Sequence, residues 1–202
     1  MASVLVPLLI GISTNRRRDS YVKILIIGLL ISAFTDSINL LFFRRNHLPT
    51  AILFHIYTVL EFCVLALLYK QLFHKERIKK SINIIILLFF VFKILDITFF
   101  TSIQESDTLA MTLESVVMIT FGILYFDQVL KEMVIPNLEK YPVFWINSGI
   151  LIYFSGSLFL FLFSDFIFSF SNQISYWIFW SIHSLLTITK YTLFSIGLWL
   201  QK

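Results

Sequence analysis

A chain of 202 residues with 58% hydrophobic side chains, 14% charged ones and a mean hydropathy of +0.85 is not a water-soluble domain, for which about 25% charged and about 45–50% apolar would be usual. A fold of this size cannot hide so much apolar surface, so its solvent must be lipid. The net charge of +4 and pI near 9.2 do not point to nucleic acid here, because the basic residues fall between apolar runs, where membrane orientation and anionic lipid account for them.

The first apolar run covers residues 2–14. At 1.5 Å per residue it reaches about 21 Å, short of the ~30 Å hydrocarbon core. It is expected either to span in part or to begin upstream. It lacks the basic n-region and small-residue cleavage site of a signal peptide. Six longer runs follow at 21–43, 50–73, 82–101, 108–130, 143–166 and 174–200. The segments between them are short, so the whole chain, 1–202, reads as one domain. The expected fold is all-α, a polytopic transmembrane bundle of about seven helices.

Charge sets the expected orientation. Alternate connections carry Arg16, Arg17, Arg18 and Lys23, then Lys70, Lys75, Arg77, Lys79 and Lys80, then Lys131 and Lys140, with Lys202 at the end. The other connections carry only Arg44 and Arg45. By the positive-inside rule the N-terminus lies outside and the C-terminus in the cytoplasm, as for a multi-pass protein of a cell inner membrane.

Local signals agree with these limits. Pro142 suits the first turn of the sixth helix, and Asp107 is placed to cap the fifth. Gly149 and Gly156, seven apart, share a face of the sixth helix and predict close packing against a neighbour. Trp177, Trp180 and Trp199 fit aromatic belts at the two interfaces. Cys63 is the only cysteine and reads as a small apolar residue.

Ionisable residues at membrane depth cost roughly 2.5–3.5 kcal/mol each when unpaired, so they face the bundle interior or water and mark functional sites. Asp36 and Asn39 lie in the second run, His55, Tyr57 and Glu61 in the third, Lys93 and Asp96 in the fourth, Glu114 in the fifth and His183 in the seventh. Most fall in the outer half of their helices. Together Asp36, Asn39, His55, Tyr57, Glu61, Asp96, Glu114 and His183 predict an outward-opening polar pocket. Tyr57 and Glu61, four apart, share a helix face, and Lys93 can pair with Asp96 three residues on. Asn147 is expected to be either a helix–helix hydrogen bond or part of a site. Lys190 is expected to snorkel towards the inner surface.

Three kinds of chemistry fit these residues. A sensor or binding component would use the pocket for a ligand and pass the signal to a membrane or cytoplasmic partner, since no output domain is present. A membrane-embedded hydrolase acting on lipid-like substrates would use Glu61 or Glu114 as catalytic acid or base, with His55 and His183 as metal ligands. No HxxxH or HExxH spacing supports that set, and only His183 stands where ceramidase-type hydrolases carry paired histidines. A proton- or cation-coupled transporter comes third, because Pro49, Pro136 and Pro142 lie at helix ends and leave no broken helix between them. Lys190 and Glu61 match the lysine and counter-ion of a retinal protein only at the barest level, since Leu186 stands where microbial rhodopsins carry an acid. No cofactor is named by these residues, and the bilayer is the one partner they define directly.

The stretches Tyr57-Thr-Val-Leu-Glu-Phe62, Val143 to Tyr153, and Ile182-His183 followed by Ile188-Thr-Lys190 resemble a family of small bacterial multi-helix membrane proteins. The resemblance implies the same fold over nearly the whole chain and carries no mechanism. It also implies a longer first helix.

Overall fold

The computed structural model describes residues 2–13, 19–44, 50–100, 107–132, 137–169 and 173–201, and every regular element among them is helical. Eight α-helices follow in order: α1 (Leu5–Ser13), α2 (Ser20–Ile38), α3 (Ala51–Leu72), α4 (Glu76–Leu95), α5 (Thr108–Glu132), α6 (Pro142–Leu162), α7 (Ser164–Ser169) and α8 (Gln173–Trp199). A 3-10 turn, Ala2–Val4, leads into α1, and another, Leu138–Lys140, precedes α6. α2 and α4 run on into π-helical turns at Asn39–Arg44 and Asp96–Phe100. Arg16, Arg17, Arg18, Arg45, Pro49, Glu105 and Pro136 lie outside the described residues.

Five helices, α2 to α6, contain stretches long and apolar enough to cross a membrane. Two of the seven expected spans differ. α1 has 9 residues, about 14 Å, which is less than a bilayer core. α8 has 27 residues, ample at roughly 40 Å, but it is not among the five. His183, Lys190 and its run of serines and threonines dilute its apolar character. Other boundaries moved for local reasons. α4 starts at Glu76, six residues before the apolar run, because the charged residues ahead of Ile82 are good helix formers. The connection expected over 164–173 carries α7.

The helices form a ring. α1 packs on α2 and α8, α2 on α3, α3 on α5, α5 on α6 and α6 on α8, while α4 sits outside the ring against α3. Phe62 of α3 and Phe89 of α4 stack with centroids 3.8 Å apart. Large apolar side chains such as Phe34, Leu88, Ile94, Phe159 and Trp177 are left exposed on the outer surface. That is where hydrocarbon would cover them.

Glycine lets α6 and α8 approach closely, as the sequence predicts. A Cβ on Gly156 would lie 2.6 Å from Leu186, and one on Gly149 3.2 Å from the Lys190 carbonyl oxygen. Gly197 faces backbone rather than a side chain, since a Cβ there would meet the Pro142 carbonyl oxygen at 2.7 Å.

One end of the ring is filled. Tyr69, Phe73, Phe121 and Tyr125 are buried there in mutual ring contact. Asn147 is a helix–helix tie at this end. Tyr69 Oη donates to its Oδ1 at 2.7 Å, and its Nδ2 donates to the Gly122 carbonyl at 3.1 Å. Such bonds are favoured in lipid because few other partners exist.

Candidate functional site

The other end of the ring is hollow. Where α3, α5 and α8 begin and α6 ends, a cavity of about 360 Å³ opens between them, a size within the roughly 300–1,000 Å³ of small-molecule sites. Each helix brings one stripe to it at the spacing of a single helical face. α3 supplies Phe54, Tyr57, Thr58 and Glu61, and α5 supplies Met111, Glu114 and Ser115, with Asp107 just before it. α6 supplies Tyr153, Ser157 and Phe161, and α8 supplies Tyr176, Phe179, Trp180 and His183.

Five buried polar atoms on this wall have no hydrogen-bond partner among the described residues: Glu114 Oε1, Asp107 Oδ2, Ser157 Oγ, Ser164 Oγ and Trp180 Nε1. Buried polar groups are paired in the great majority of cases. Five such atoms on one wall leave hydrogen bonds that water or a polar ligand would complete.

Glu61, the acid of the α3 stripe, is held in an ion pair from behind the cavity wall. Lys190 of α8 reaches across the ring and donates to Glu61 Oε1 of α3 at 2.9 Å. Its ammonium also lies 3.7 Å from the centre of the Tyr153 ring, a cation–π contact. α3 and α8 are not neighbours in the ring, so this pair is a bar through its interior. A second, small cavity lined by α2, α3 and α8 lies on the far side of the bar. The expectation that Lys190 snorkels to the inner surface is therefore corrected. A carboxylate within reach inside the bundle holds the ammonium where lipid alone could not. Tyr153 Oη and His183 Nε2 lie 3.3 Å apart beside the pair, and Ser32 of α2 meets Tyr57 Oη at 3.0 Å.

A second polar cluster forms around Lys93. Its ammonium is bonded to Asp107 Oδ1, lies 2.8 Å from His55 Nδ1 and lies 3.6 Å from Asp96 Oδ2. His55 Nδ1 also lies 3.4 Å from Asp107 Oδ1. The Asp107 backbone carbonyl accepts from Met111 N at 3.0 Å in the first turn of α5, while its carboxyl turns to Lys93. Burial raises the Asp107 pKa above the ordinary carboxylate range, and Lys93 and His55 oppose that shift.

The structure thus divides the eight expected pocket residues. Tyr57, Glu61, Glu114 and His183 share the cavity wall. His55 and Asp96 belong to the Lys93 cluster, which touches the cavity only through Asp107. Asp36 and Asn39 stand on α2 and at its π-helical end, away from the cavity lining.

His55 and His183, the expected metal ligands, sit in different clusters. Among the described residues no group of three His, Cys, Asp or Glu side chains is arranged to hold a metal ion. Sequence reasoning did not include Tyr153, Ser157, Ser164 or Trp180 in the site. The signal was there in the stripes Tyr153-Ser157-Phe161 and Tyr176-Trp180-His183, polar and aromatic at helical spacing. Comparison of the chain with family models, curated proteins and solved structures finds no match.

Proposed function

We propose that this chain is a membrane-embedded binding protein of sensor type, which takes a small ligand into the hollow end of its ring and acts through a partner. The observation that carries this reading is the set of five unpartnered polar atoms on one cavity wall, because a ligand supplies the hydrogen bonds that the protein leaves unmade. The lysines at the filled end, Lys75, Lys79, Lys80, Lys131 and Lys140, support a multi-pass arrangement with that end in the cytoplasm and the cavity facing out, as in a bacterial inner membrane. The same basic end is a fitting surface for a signalling partner or anionic headgroups.

The test is occupancy. Protein purified in nanodiscs from its host is expected to release a small molecule on denaturation, seen by mass spectrometry, and a cavity-filled Ser157→Phe variant is expected to release none. Equal release from both proteins, or none from either, would count against the cavity as a binding site. Reporter fusions are expected to place Lys75 inside and Glu105 outside. The reverse pattern would turn the cavity to the cytoplasm.

A further inference from the structure

Resting on the reading of the cavity as a binding site, we infer that its ligand is an organic cation, an amine with an apolar body. Charge is the first argument. Three carboxylic side chains line the cavity, Glu61, Asp107 and Glu114, and no lysine or arginine does so among the described residues. Glu61 is matched by Lys190, and Asp107 by Lys93. Glu114 is 3% exposed, forms no salt bridge among the described residues and has Oε1 without a donor. Its Oε1 lacks a hydrogen-bond partner, and an ammonium would supply an N–H group together with the charge that favours the carboxylate form when the site is filled. An anionic ligand would meet three acids and no free cation.

The walls are the second argument. Eight of the side chains lining the cavity are aromatic. These include Tyr153 and Phe154 from α6 and Phe179 and Trp180 from α8. Aromatic faces attract a desolvated cation. Lys190 over the Tyr153 ring at 3.7 Å shows that this protein already holds one ammonium in that way. The same rings give the apolar part of a ligand its contact surface. A bare metal ion is a poorer fit, since the described residues offer no three-ligand group and the cavity is many times larger than an ion needs.

The test uses three probes of one shape and different charge: phenylbutylamine, phenylbutanol and phenylbutyrate. They are titrated into the full-length protein in nanodiscs, with empty nanodiscs as the partitioning control. The amine is expected to bind tenfold or more tightly than the alcohol, about the worth of one charge-assisted hydrogen bond, with the carboxylate weakest. Glu114→Gln is expected to remove that advantage, bringing the amine to the level of the alcohol. The wild-type ranking decides the matter even if that variant does not fold. An alcohol that equals the amine, or an amine indifferent to Glu114→Gln, overturns the cation while leaving the cavity as a site. Failure of all three probes to bind above the nanodisc control, or equal binding by Ser157→Phe, overturns the cavity reading itself.

Discussion

The two ends of the ring are built from the same kinds of residue and treat them in opposite ways. At the filled end Asn147 and Tyr69 complete each other, and aromatic rings close the space around them. At the hollow end Glu114 and Ser157 are buried and Trp180 is half-buried, yet each has an atom with no partner among the described residues. Buried polar atoms satisfied within the fold rigidify it, and those left unsatisfied weaken it unless something else completes them. The difference separates polar residues that complete one another within the bundle from polar residues that the described fold leaves incomplete.

The bar between the two ends is where a change should tell most. Lys190→Met strands Glu61 in the interior and is expected to destabilise the protein by about 3–5 kcal/mol, read from unfolding in detergent followed by tryptophan fluorescence. Replacing Glu61 by Leu in the same chain should restore much of that loss. A neutral single substitution would mean that the pair does not brace the ring.

Packing comes next. Gly197→Ala should cost about 1–3 kcal/mol, more than Gly156→Ala. Its new methyl meets the rigid Pro142 carbonyl, whereas Leu186 opposite Gly156 can change rotamer. Asn147→Leu, at the filled end, should cost about 1 kcal/mol in the same assay by leaving Tyr69 Oη and the Gly122 carbonyl without it. Ser157→Ala, at the hollow end, should stay within about 0.5 kcal/mol of wild type or rise slightly, because it removes an orphan rather than making one. Equal losses for Asn147 and Ser157 would erase the contrast between the two ends.

Composition and the apolar runs made the helical bundle legible, because lipid permits little else at this hydropathy. Glu61 and Glu114 were legible as site residues, since an acid at membrane depth must have a reason to be there. Their partners were not. Lys190 lies 129 residues from Glu61, and Asp107 looks like a helix cap until α4 brings Lys93 beside it. Nothing along the chain says which helices face each other across a ring. Asp36 was singled out by the same depth argument as Glu114, and only the packing of α2 shows that it stands elsewhere. The short α7 was hidden because six residues carry too little periodicity to be read.

A bundle hollow at one end and filled at the other is a cup. With Tyr69 and Phe121 buried in ring contact at its closed end, vesicles carrying the protein are expected to hold an imposed pH gradient as long as protein-free ones. Across an energised membrane the potential, about 2.3 kcal/mol per elementary charge for 100 mV, then falls mainly over the filled half. If the inferred cation stops at Glu114, it crosses little of that field, and its occupancy is expected to follow its concentration at the mouth rather than the voltage of the cell.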